Sequence, residues 1–215
     1  MKKRKYSYKI YALAAALSIG LTGAITAGAA RQGEIQAEQV SAQAIQQGIA
    51  REVLRFHVLA NSDSEQDQQL KLQVKTAVVS YLEEILGEDA TLADTRACAA
   101  AHLEEIGHVA EAVMQEAGQT YPVKVCLTQS YFPEKTYGDC TLPAGEYEAL
   151  QVKIGEAQGK NWWCVLYPSL CFLDETCAVV TQEKMEDLRH VLTVEEYETI
   201  TKDAKVKIRF KWLKR

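Results

Sequence analysis

Apolar and polar positions along the chain follow stretches of different period, and each period predicts an element. Residues 31 to 50 are rich in Gln, Ala and Glu, with Ile35, Ala42, Ile45 and Ile49 at loosely helical spacing, which reads as a spacer. Val53–Leu59 then alternates, predicting a strand whose buried face carries Leu54, Phe56 and Val58. Asn61-Ser62-Asp63-Ser64 interrupts it. Ser62 with Glu65, or Ser64 with Asp67, caps a helix that puts Leu70, Val74, Ala77, Val78, Tyr81, Leu82 and Ile85 on one stripe before Gly87. A second helix is predicted from Thr91, with Asp94 in its first turn, to Gly118. Its stripe is Leu92, Ala99, Leu103, Ile106, Ala110, Val113 and Met114, with Gly107 as a weak interior position.

After Pro122 the period becomes two, with Val123, Val125 and Leu127 alternating against Lys124, Cys126 and Thr128. Strands are predicted over 147–154 and 162–167, joined as a longer-loop hairpin through Gly155–Gly159. Helix returns from Thr181, and Thr193 with Glu196 forms a capping box. Val206, Ile208, Phe210 and Trp212 alternate with Lys205, Lys207, Arg209 and Lys211, predicting a final strand with one apolar and one basic face. Such a face suits a protected sheet edge or a contact with anionic lipid or an acidic partner. The order predicts an α+β fold, a two-layer sandwich of a mostly antiparallel sheet packed with helices. It fills a single domain over 51–215, after a polar, Gln-rich spacer over 30–50.

The N-terminus changes where that domain is expected to work. Lys2, Lys3, Arg4, Lys5 and Lys9 precede an uncharged stretch from Ile10 to Ala30 that fades into small residues around Ala27 and Ala29. This is the pattern of an export signal over 1–29. It is also long enough to be an uncleaved anchor, and both readings put the body outside the cytoplasm. Without those residues the chain holds 19 Lys+Arg against 29 Asp+Glu, a formal charge of −10. A body this acidic repels phosphate backbones, which excludes nucleic acid as the expected partner.

Cys98, Cys126, Cys140, Cys164, Cys171 and Cys177 include no C-x-x-C pair, so no metal site is expected, and their pairing cannot be read from spacing. The chain has no G-x-S-x-G, H-E-x-x-H, Walker loop or dinucleotide fingerprint, so no cofactor is expected either. His57 reads as an ordinary surface residue. The catalytic alternative is an extracytoplasmic hydrolase that pairs His57 with a Cys or with Asp63. Two stretches suit contact instead. The first is the polar loop Asn61–Ser64 with the helix start that brings Asp67, Gln68, Lys71 and Lys75. In the second, Trp162 and Trp163 must face opposite sides of a strand, and an exposed Trp is an interface anchor.

These stretches carry a family resemblance. Leu54-Arg-Phe-His-Val-Leu-Ala-Asn-Ser-Asp-Ser-Glu-Gln-Asp-Gln-Gln-Leu-Lys71, Tyr137-Gly138 with Leu142-Pro-Ala-Gly-Glu-Tyr-Glu-Ala-Leu150, and Gly159-Lys-Asn-Trp-Trp-Cys-Val-Leu-Tyr-Pro-Ser-Leu-Cys-Phe172 resemble the signatures of the stage II sporulation protein R family. The resemblance implies a secreted signalling protein of endospore-forming bacteria, a ligand with no reaction of its own. It would be exported from the forespore and needed by a membrane-embedded aspartic protease of the mother cell that processes pro-sigma-E. The partner-contact candidates are Arg55, Asn61, Ser62, Asp63, Asp67, Gln68, Lys71, Trp162 and Trp163. Cys164 and Cys171, inside the last motif, are candidates for a bridge.

Overall fold

The computed structural model describes residues 31–32, 34–87, 89–171 and 182–201. The expected signal segment, Cys177 and the expected final strand lie outside the described residues. The chain divides into two units, Met1–Ala44 and Ile45–Arg215. In the first, residues 34–44 are helical and exposed at every position. Among the described residues no helix is long and apolar enough to cross a membrane.

The second unit begins with the helical residues 45–52 (α1) and continues with β1 (Leu54–Leu59), α2 (Glu65–Ile85), α3 (Leu92–Ala101) and α4 (Leu103–Glu116). It then runs through β2 (Val123–Phe132), β3 (Lys135–Tyr137), β4 (Cys140–Leu142), β5 (Gly145–Ile154) and β6 (Asn161–Tyr167) to α5 (Gln182–Val191) and α6, residues 194–201. The four-stranded sheet has the order β2-β5-β1-β6, and β3 and β4 form a separate hairpin turned by Gly138 at φ 54°. The α+β class and the mostly antiparallel sheet packed with helices are as the sequence predicts.

Local signals hold where they are strong. Ser64 is the cap of α2, its hydroxyl accepting the Asp67 amide at 3.2 Å. Thr91 and Asp94 cap each other reciprocally at α3, and Thr193 and Glu196 do so at α6. The single helix predicted over 91–118 is two helices, broken at His102. Its ring Nδ1 lies 2.9 Å from the Cys98 carbonyl that its own amide also uses. A side chain competing inside the i→i−4 ladder is a recognised cause of a kink.

The predicted β5–β6 hairpin is corrected. β1 lies between these two strands, parallel to β5 and antiparallel to β6. The connecting loop spans two strand spacings, about 10 Å, and bonds to the end of β1 instead. The Gly159 amide donates to the Ala60 carbonyl at 2.9 Å, and the Gln158 amide to the Asn61 carbonyl at 3.2 Å.

Two cores result. Leu54, Phe56, Val58, Leu150, Val152, Ile154, Cys164 and Leu166 on one sheet face pack against Leu70, Val74, Val78 and Leu82 of α2 and Ile106, Ala110 and Met114 of α4. The opposite face is also covered at one end, where Phe132, Tyr147, Ala149 and Val165 meet Ile49 of α1, Cys140 and Leu142 of β4, Leu188 of α5 and Ile200 of α6. Each fully buried Leu, Ile or Phe contributes roughly 1.5–3 kcal/mol, so both faces hold the sheet.

Candidate functional site

The end of the sheet at which β1 stops is closed by two loops, 60–64 and 155–160, tied side chain to backbone. Asn61 is the central clamp: its Nδ2 donates to Asp67 Oδ2 at 2.9 Å, and its Oδ1 accepts the Glu156 amide at 3.0 Å. Ser62 Oγ donates to the same Asp67 oxygen at 2.5 Å, and Asp63 Oδ1 accepts the Lys160 amide at 2.6 Å. Gln68 Nε2 donates to the Ser62 carbonyl at 2.9 Å, and Lys71 Nζ donates to Gln68 Oε1 at 2.7 Å and to the Lys160 carbonyl at 3.1 Å. Asn61, Ser62, Asp63, Asp67, Gln68 and Lys71 are therefore brought together. Asp67 and Lys71 are buried, Asn61, Ser62 and Gln68 are half-buried, and Asp63 is exposed.

The loops approach so closely that glycine is required. A Cβ on Gly159 would collide with the Ser62 carbonyl oxygen and sit 3.0 Å from Ala60 Cβ. Gly159→Ala is expected to lower unfolding free energy by about 2 kcal/mol, within the usual cost of overpacking. Urea denaturation measures it, and an unchanged midpoint would show that the loops separate freely.

Hydrogen bonds, that of Ser62 foremost, hold the Asp67 carboxyl below its ordinary range. Asp67→Ala strands the Asn61 amide and Ser62 hydroxyl, with an expected loss of about 2 kcal/mol at pH 7. Because the folded pKa is depressed, this contribution is full above the unfolded carboxyl pKa and is lost as pH falls through the folded one. The gap between wild type and variant should therefore narrow in acid; denaturation curves at neutral and acid pH check this.

Behind the loops, on the second face of the sheet, the structure assembles residues that sequence reasoning left apart. Arg55 is 0% exposed, its Nε donating to the Cys164 carbonyl and its Nη2 to the Tyr137 hydroxyl, both at 2.9 Å. The guanidinium carbon lies 4.2 Å from the Phe132 ring centre and 4.9 Å from that of Tyr147. His57 is buried, which corrects its surface assignment: its side of the sheet is covered as well. Its ring stacks on Trp163 at 4.8 Å, and Nε2 meets the Gln151 amide nitrogen at 2.5 Å. Burial first, then Lys153 and Arg55, pushes its pKa down to about 4, so the ring is neutral at pH 7.

Trp162 and Trp163 do face opposite sides. Trp162 meets Phe56 edge-on at 5.9 Å and carries Lys75 Nζ 5.0 Å above its ring. Trp163 belongs with the second core, and both are half-buried. Cys164 and Cys171 are free thiols, and the Cys171 thiol donates to the Val165 carbonyl at 3.0 Å. Among the described residues the His57 ring meets Gln151, Phe132 and Trp163, and no hydrogen bond joins it to a Cys or to Asp63, the pairs of the hydrolase alternative. Asp63 is engaged with the Lys160 amide, while Gln151 stands opposite both His57 and Cys126 in the sheet. Among the described residues no group of His, Cys, Asp and Glu is arranged to hold a metal ion.

The model of the family described as stage II sporulation protein R matches residues 50–177, which include every candidate contact residue. The chain belongs to the stage II sporulation protein R family. It is 40% identical over 123 residues to stage II sporulation protein R of Bacillus subtilis (strain 168). That match covers 57% of this chain and 55% of the relative, so the chain spans about half the length of the relative it matches. No solved structure matches. Membership places the chain among sporulation proteins, and the family region contains the loop clamp, the Arg55 cage and β6 together.

Proposed function

We propose that this chain is an exported signalling protein of endospore formation, needed to activate the membrane-embedded aspartic protease that processes pro-sigma-E. The observation that carries the reading is the family match over 50–177, which contains the folded elements from β1 through β6. The basic residues before Ile10 and the uncharged stretch after it support export from the forespore into the intermembrane space. In this reading the protein is a ligand: it binds an external face of the protease and shifts its population toward the active state. The partly exposed Asn61, Ser62, Asp63 and Gln68 lie at the end of the sheet offered to the partner, and the N-terminal segment or the basic C-terminal residues keep the protein near the membrane surface.

The test is pro-sigma-E processing in a non-sporulating host that makes the protease, with and without this chain. Processing is expected only when the chain is present, exported and folded. Equal processing in its absence overturns the reading.

A further inference from the structure

The second face of the sheet is covered at one end and open at the other, and strand register shows where cover stops. Across β2, β5, β1 and β6 the side chains of this face form successive rows. Thr128, Ala149, Arg55 and Val165 make the first row; Cys126, Gln151, His57 and Trp163 make the second; Lys124, Lys153, Leu59 and Asn161 make the third. Ala149, Arg55 and Val165 are buried under the second core. In the third row Lys124 is exposed, and Lys153, Leu59 and Asn161 are only half-buried.

That open row carries an unexplained cost. Lys124 and Lys153 stand directly opposite each other on antiparallel strands, and like charges in that position destabilise a sheet. Among the described residues neither lysine makes an ion pair. Of the carboxylates on the neighbouring loops, Asp63 accepts the Lys160 amide, and Glu156 is exposed. The neutral His57 behind the row adds no charge. The lysines thus form a basic site beside half-buried Leu59 and Trp163, on a body with a formal charge of −10 beyond residue 29.

We propose that this open end of the sheet, with Lys124, Lys153, Leu59, Asn161 and Trp163, is the docking surface for an acidic peptide segment of a partner protein. The segment's carboxylates meet the two ammonium groups, and an apolar side chain meets Leu59 and Trp163. An extended peptide is favoured over an anionic bilayer by range. A peptide feels mainly charges within a Debye length of about 8–10 Å, whereas a broad bilayer also meets the repulsion of the acidic body. The surface goes beyond the signalling reading and stands whichever partner supplies the segment.

Cys126, half-buried in the row behind the lysines, is a built-in reporter, and Cys98 on α3, across the sheet, is its internal control. The purified full chain is titrated with a short fluorescein-labelled peptide of aspartate, glutamate and phenylalanine, followed by anisotropy and by maleimide modification of the two cysteines. Binding is expected to slow modification of Cys126 and leave Cys98 unchanged. Lys153→Glu turns the repulsive pair into an attractive one. It should fold with an equal or higher Tm, yet weaken peptide binding about tenfold or more. Unchanged affinity in Lys153→Glu, or an unprotected Cys126, overturns the proposal. So does protection of Cys126 by phosphatidylglycerol vesicles but not by the peptide, which would make the surface a membrane contact. The probe is synthetic, so failure here leaves the signalling reading standing, and failure of processing with peptide binding intact removes only that reading.

Discussion

Arg55→Ala is expected to lower the unfolding free energy by about 4 kcal/mol, the largest effect foreseen for a single substitution in this fold. A guanidinium with no exposed surface ordinarily needs a carboxylate, and no ion pair to Arg55 occurs among the described residues. Its charge rests instead on the faces of Phe132, Tyr147 and Tyr137, at 4.2, 4.9 and 5.8 Å, and on the Cys164 carbonyl and Tyr137 hydroxyl. Truncation empties the centre of this cage and leaves the Cys164 carbonyl without its side-chain donor. Arg55→Met separates volume from charge. It refills most of the space, removes a costly buried cation, and is expected to cost about half as much or less. Urea denaturation of the two variants decides the matter: a loss below about 1 kcal/mol for Arg55→Ala would show that Arg55 is no anchor.

Lowering the pH from 7.5 to about 4 should cost the protein about 3 kcal/mol through His57 alone. The unfolded ring takes a proton near its ordinary pKa of 6.5, while the folded ring resists until about 4. Between those values the unfolded state binds more protons. The contribution is therefore full above 6.5 and is lost as pH falls through the window. The geometry explains the resistance. The ring is 3% exposed and lies between Phe132 and Trp163, and its Nδ1 has no hydrogen-bond partner. A second ring proton would find a Gln151 amide nitrogen, a donor, at Nε2. His57→Phe keeps an aromatic in the stack and removes the titration. Its stability should be flatter than wild type between pH 6.5 and 4, and parallel slopes would show that His57 charges freely in the folded protein.

The two substitutions expose the limit of periodicity. The alternation of Leu54, Phe56 and Val58 marks one buried face correctly, and Arg55 and His57 between them look like the water side. A strand buried on both faces loses that alternation only when its second environment is apolar too. Here the second face closes around Arg55 and His57 with rings from β2, the β3–β4 hairpin, β5 and β6. The residues involved lie 75 to 108 positions away along the chain, beyond any local window. The loop candidates fared differently. Asn61, Ser62, Asp63, Asp67, Gln68 and Lys71 are close in sequence and were visible as a cluster, but their hydrogen bonds to residues 156 and 160 were not.

By itself the sequence determined the local physics: a serine cap for α2 at Ser62 or Ser64, a helix start at Thr91, the capping box of Thr193 and Glu196, the stripe of α2, and the opposite facing of Trp162 and Trp163. Each depends on spacings of a few residues, where backbone geometry leaves few choices. Tertiary structure alone decided that β1 enters between β5 and β6, that Arg55 and His57 are enclosed, and that Lys124 meets Lys153 on an open face. Those outcomes depend on strand order and register. They follow from two apolar faces being buried at once, a condition imposed by the whole sheet and not by any one strand.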